Sequence, residues 1–166
     1  MRVTRNQIIK TRKKAIHSRS RALRLRYKIS LFRLRRQYRR QRHHFGSGTV
    51  NFTWLWLLES ARRHGWKGTL NGPSTGLRTY SQQAKLYNLF ITGKGAPAFP
   101  PNGPSRHLEK NVKRLGQWSQ AVDVSDPEGL IRAARKFGVR LHRPYLPQEP
   151  WHVEAATKFH APKNYV

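Results

Sequence analysis

The chain has 166 residues, with 34 Lys and Arg against 7 Asp and Glu, for a formal net charge of +27. It has no cysteine, which excludes a disulfide framework and every cysteine-ligated metal site. No run of 18 apolar residues occurs, so no membrane-spanning helix is expected, and the cationic N-terminus lacks the apolar stretch of a secretory signal.

The charge is uneven. Residues 1–44 hold 17 of the basic residues and no acid; Glu59 is the first carboxylate in the chain. This segment contains neither Gly nor Pro. Its apolar residues Ile9, Ile16, Leu23, Tyr27, Leu31, Leu34 and Tyr38 fall at helical spacing, with arginines covering most of the remainder. The pattern predicts one long basic amphipathic helix over 1–44. Seventeen cations without one acid repel each other, so a polyanionic partner is expected, with Arg12, Lys13, Lys14, Arg35, Arg36, Arg39 and Arg40 making the contacts. No base-reading motif accompanies them, so any nucleic-acid binding would be nonspecific. Virion proteins, the anionic cell wall and the inner membrane are the other partners considered for this arm.

Residues 45–50, with Gly46 and Gly48, read as a linker, and 51–166 as one globular domain. Asn51 or Thr53 caps a helix from Trp54 to His64, with Trp54, Leu57, Leu58 and Ala61 on its core face. Leu70 to Thr79 reads as extended chain and turns. A second helix, capped by a serine, runs from Ser81 to Ile91 and ends at Gly93. Gly95 to Pro104 is a Pro/Gly-rich loop, and Gln120 to Val124 is a buried strand. Asp126-Pro127 opens a helix that Gly138 stops. Val139–Leu141 and Trp151–Glu154 read as strands, and the last dozen residues as a surface tail. The order of elements predicts an α+β fold, a small antiparallel sheet with flanking helices.

Three segments carry chemistry: Ser105-Arg106-His107, Ala121-Val122-Asp123-Val124 and Glu149-Pro150-Trp151-His152. Two imidazoles and a carboxylate offer three ligands to one zinc ion and leave a position open, the pattern of a catalytic rather than a structural site. Asp123 alternates with Val122 and Val124, and an acid inside an apolar strand is costly unless something positive neutralises it. Glu149, three residues before His152, stands where a general base would take a proton from the attacking water. Arg78 is the candidate for stabilising charge on the substrate carbonyl, although it could instead pair with an acid such as Glu154. Glu154 itself could orient a ligand histidine or be a solvated strand residue, and His142 is the rival ligand.

These motifs resemble those of the zinc D-alanyl-D-alanine carboxypeptidases, a family that includes vancomycin-resistance dipeptidases and phage L-alanyl-D-glutamate endolysins. Ser-x-His, Ala-x-Asp and Glu-x-x-His match in order, and Thr75-Gly76-Leu77-Arg78-Thr79-Tyr80-Ser81-Gln82-Gln83 is similar to that family's Gly-aromatic-Arg-Ser segment and following helix. The resemblance spans about residues 52–156. It implies a hedgehog-like zinc peptidase fold and cleavage of peptide bonds in peptidoglycan stem peptides, next to a D-amino acid. It implies His107, Asp123 and His152 as zinc ligands, Glu149 as base, Arg78 as carbonyl stabiliser, and Ser105, Gln82 and Trp151 as substrate-binding residues. The family's His-to-Asp interval is about seven residues. Here Asp123 follows His107 by sixteen, so the site requires Leu108 to Trp118 to loop out over the cleft. The small domain, the basic arm and the lack of a signal suggest a bacteriophage protein, in the virion or in the host cytoplasm before release to the wall. The alternative is an inactive virion structural or nucleic-acid-binding protein.

Overall fold

The computed structural model describes residues 2–18, 20–108 and 119–165. Two compact units emerge. One runs to Gln41 and includes the C-terminal segment from Ala161; the other is Arg42–His160.

The first unit corrects the expectation of one long helix. It holds α1 (Arg5–His17) and α2 (Arg21–Arg40). The break has a local cause. Ser18 is extended at φ −71°, ψ 127°, and the Ser20 hydroxyl accepts from the Leu23 amide, which starts a new helix. Thr4 and Gln7 form a capping box at the start of α1. The Gln41 amide group exchanges two hydrogen bonds with the Val3 backbone (3.1 and 2.6 Å), so the end of α2 lies beside the start of α1 and the pair is antiparallel. Folding back gives the helices something to bury, which a lone helix lacks. Val3, Ile8, Ala15 and Tyr38 are the buried apolar residues, whereas Ile9, Ile16 and Leu23 of the predicted stripe are exposed. The C-terminal segment docks here: Arg39 donates to the Lys163 carbonyl at 3.0 Å, and the Arg5 guanidinium lies over the Tyr165 ring.

In the second unit, most of the segment read as a linker is a β-hairpin, β1 (His43–Phe45) with β2 (Gly48–Val50). A two-residue turn between such strands needs left-handed backbone, and Gly46 supplies it at φ 58°. Helix α3 (Phe52–Arg63) follows, capped by Asn51, whose side-chain oxygen accepts from the Trp54 amide at 2.9 Å. All four residues expected on its core face are buried, and so are Phe52, Leu55 and Trp56; α3 is enclosed nearly all round. Removing one such leucine by Leu→Ala costs about 2–5 kcal/mol. Helix α4 (Tyr80–Ile91) is capped by Thr79, not by a serine within it, in a box with Gln82. Helix α5 (Pro127–Arg135) has Asp126 as its cap.

A three-stranded antiparallel sheet carries Asp123 and His152. Its order is β3 (Ala121–Asp123), β5 (His152–Ala155), β4 (Leu141–His142). The register sets Asp123 opposite His152 and Ala121 opposite Glu154. Leu70 bridges Val124 on the far side of β3, and the Asp123 amide donates to the Thr75 carbonyl at 2.7 Å, so the 69–76 segment borders the strand. The core beneath is Leu57, Leu58, Ala61, Leu70, Val122, Val124, Leu130 and Val153. The fold is therefore mixed α+β, with five helices and two small antiparallel sheets among the described residues. No helix among them is long and apolar enough to cross a membrane.

Candidate metal centre

His107, Asp123 and His152 come from three separate segments and meet in the interior, each about 95% or more buried. Their ligating atoms lie within 4.8 Å of one another, so the group could hold a metal ion. His152 Nδ1 is 2.9 Å from Asp123 Oδ1, His107 Nε2 is 3.2 Å from His152 Nδ1, and His107 Nε2 is 3.4 Å from Asp123 Oδ1.

The backbone around each residue explains the convergence. Asp123 and His152 are cross-strand partners, so their side chains leave the sheet on one face. His107 arrives on a segment that pairs with Arg78: the Arg78 amide donates to the His107 carbonyl at 2.8 Å, and Arg78 bridges Leu108. Its ring is fixed from behind, because Nδ1–H donates to the Gly76 carbonyl at 2.9 Å. That bond leaves Nε2 as the lone pair facing Asp123 and His152. Gly76 could be no other residue at this spacing, since a Cβ there would sit 2.2 Å from the Thr49 carbonyl oxygen.

His152 is oriented in the same way by a carboxylate. Its Nε2–H donates to Glu154 Oε1 at 3.1 Å, which turns Nδ1 toward the other two ligands. Arg106 Nε holds the second oxygen of Glu154 at 3.0 Å. Glu154 is therefore a buried orienting group, and His142, exposed on β4 opposite it, is outside the cluster. Replacing Glu154 by alanine should weaken metal affinity about 10–100-fold, read by competition with a chromogenic chelator. Unchanged affinity would show that the imidazole needs no such partner.

Arg78 pairs with Asp123 rather than with Glu154, Nη2 to Oδ2 at 3.1 Å, and this leaves Oδ1 for the histidines. Its Nε donates to the Ser74 carbonyl and Nη1 to Gln83 Oε1. Gln83, 1% exposed, also accepts from Ser105 Oγ and donates to the Phe99 carbonyl. Gln82, expected among the substrate-binding residues, caps α4 through its side chain at the Thr79 amide. Gln83 is the glutamine that holds the arginine, and only the helix phase, one residue further on, could have revealed it. Ser105 is buried and faces Gln83, whereas Trp151 is 38% exposed beside the cluster. Glu149 Oε2 stands 3.8 Å from His152 Nδ1, with a side chain 28% exposed, so it borders both the cluster and solvent.

The expectation that Leu108 to Trp118 bulges over the cleft falls, beyond Leu108, outside the described residues. What is described is its base. The Gln120 amide donates to the Arg106 carbonyl at 2.9 Å, and the Arg106 guanidinium donates to the Gln120 side chain. The long interval from His107 to Asp123 is closed at its root, and the ligands meet despite it.

Asp123 pairs with Arg78 and Glu154 with Arg106, so two guanidiniums meet two of the carboxylates around the histidines. Burial pushes the Asp123 carboxyl up, but His107, His152 and Arg78 outweigh it and hold the group well below the usual carboxylate range. Burial pushes His107 down, with Asp123 opposing. Burial also acts downward on His152, but its bonds to Asp123 and Glu154 win and it is pushed up to about 9.

A pH signature follows for the metal-free protein. The raised His152 contributes stability in full below its unfolded value of about 6.5, and loses it as pH rises through about 9. Chelator-treated protein should thus melt at a lower temperature at pH 9 than near neutrality. A divalent ion needs His152 deprotonated, so the stabilisation it adds should grow over the same window. A metal-dependent Tm increment that shrinks toward pH 9 would contradict this.

No protein-family model, no curated protein and no solved structure matches this chain.

Proposed function

We propose that this protein is a zinc peptidase that hydrolyses peptide bonds in peptidoglycan stem peptides, as carboxypeptidase or endopeptidase next to a D-amino acid. One observation carries the reading: three side chains able to ligate a metal converge beside a fourth, the Glu149 carboxylate, that stands 3.8 Å from one of them and remains open to solvent. Two imidazoles and a carboxylate, without cysteine, suit zinc in a site with room for water or substrate. A bound zinc ion there supplies Lewis acidity, polarising a carbonyl and bringing the pKa of water toward neutrality.

The chain's own residues supply the rest. Glu149 takes the proton of the attacking water and delivers it to the departing amine. Arg78 commits three of its five N–H groups to Ser74, Gln83 and Asp123, which fix its plane and leave two for the carbonyl oxygen as charge develops. Trp151, half-exposed at the rim, offers an apolar wall to the substrate. The substrate class rests on the resemblance of the Ser-x-His, Ala-x-Asp and Glu-x-x-His motifs to the zinc D-alanyl-D-alanine peptidases. With that resemblance goes a bacteriophage setting, in the virion or in the host before lysis.

The test is mass spectrometry of purified peptidoglycan stem peptides incubated with zinc-loaded protein. Loss of a terminal D-alanine identifies a carboxypeptidase, and scission between L-alanine and D-glutamate an endopeptidase. Intact peptides would reject the proposal and favour a metal-stabilised structural or nucleic-acid-binding protein.

A further inference from the structure

The helical hairpin leaves a second apolar face that its own packing does not use. Tyr38 of α2 is buried, and Tyr27, Leu31 and Leu34 on the same side are half-buried. On the opposite side, Leu25, Ile29 and Phe32 are 60%, 48% and 67% exposed. Their spacing of four and three places them within a narrow arc at 100° per residue. Arg26 and Arg33 flank that arc on one side, Arg21 and Lys28 on the other, all exposed.

We propose that α2 seats on an anionic lipid surface, with Leu25, Ile29 and Phe32 entering the headgroup boundary and the flanking cations meeting lipid phosphates. An exposed helix face with large apolar residues between two rows of Arg and Lys fits an interface that is apolar beneath and anionic above. Duplex nucleic acid accounts for the cations but gives the three apolar side chains nothing to bury against. A second copy of the chain would bring two acid-free cationic faces together, which like-charge repulsion opposes. The inference concerns this unit alone and does not depend on the chemistry of the His107–Asp123–His152 centre.

The experiment uses the full chain and vesicle co-sedimentation. Binding is expected to phosphatidylcholine vesicles containing phosphatidylglycerol, and not to phosphatidylcholine alone. The triple variant Leu25→Ser, Ile29→Ser, Phe32→Ser should lose roughly tenfold or more in binding to the anionic vesicles, while its helical circular dichroism and its affinity for duplex DNA stay as in the parent. A Phe32→Trp reporter should shift its emission to the blue on adding anionic vesicles, relative to the parent protein. Equal binding to both vesicle types, binding to DNA but not to vesicles, full vesicle binding by the triple variant, or an unshifted reporter would each overturn the proposal.

Discussion

Replacing His152 by alanine is expected to strip the protein of its metal and of peptidase activity together. His152 makes the shortest contact within the cluster, 2.9 Å to Asp123, and it is the residue that ties the ligand set to Glu154. Its loss removes one of three ligating atoms and also leaves the buried Asp123 carboxylate with fewer partners. Removing one member of a buried charged pair costs about 3–5 kcal/mol, so the metal-free variant should also melt earlier. Metal content per chain, measured by emission spectroscopy on protein shown to be folded, is the readout. His142→Ala is the control, since His142 is exposed on β4 and outside the cluster. Metal retained by His152→Ala and lost by His142→Ala would mean that the ligand set has been misassigned.

Glu149→Ala should separate binding from chemistry. The side chain is partly exposed and 3.8 Å from the nearest ligand atom, so its removal leaves the three converging atoms in place. Stem-peptide hydrolysis should fall about 10²–10⁴-fold, the usual contribution of a positioned proton-transfer group, with metal content unchanged. Full activity in Glu149→Ala would remove this residue as base. Loss of metal in the same variant would make it a ligand instead.

Much of the centre was legible in the sequence because it breaks local rules. Asp123 between two valines and His152 in an apolar strand stand out as buried polar groups that need a partner. The α+β order was legible too, because caps and stops at Asn51, Asp126-Pro127 and Gly138 punctuate the chain. What was hidden depends on tertiary register. Nothing local shows that Asp123 would face His152 across two strands, or that Arg78 would choose Asp123 over Glu154. Gln83 and Gln82 are adjacent and chemically identical; only the rotation of α4 sends one inward. The break between α1 and α2 is hidden because the apolar period of the arm continues through it. The hairpin was missed because Gly46-Ser47 is as good a linker as it is a turn. Both features depend on the partner each segment packs on, which local sequence does not contain.

The backbone and side chain of Arg106 both hold Gln120, and its Nε holds Glu154, so one residue clasps the root of the 107–120 interval to the partner of His152. Once a loop is closed at its root, lengthening it costs little, about 0.6 kcal/mol per doubling. A sixteen-residue interval between His107 and Asp123 is thereby compatible with the convergence of the cluster. Arg106 is thus a common anchor for the segment that bears His107 and for the carboxylate that orients His152.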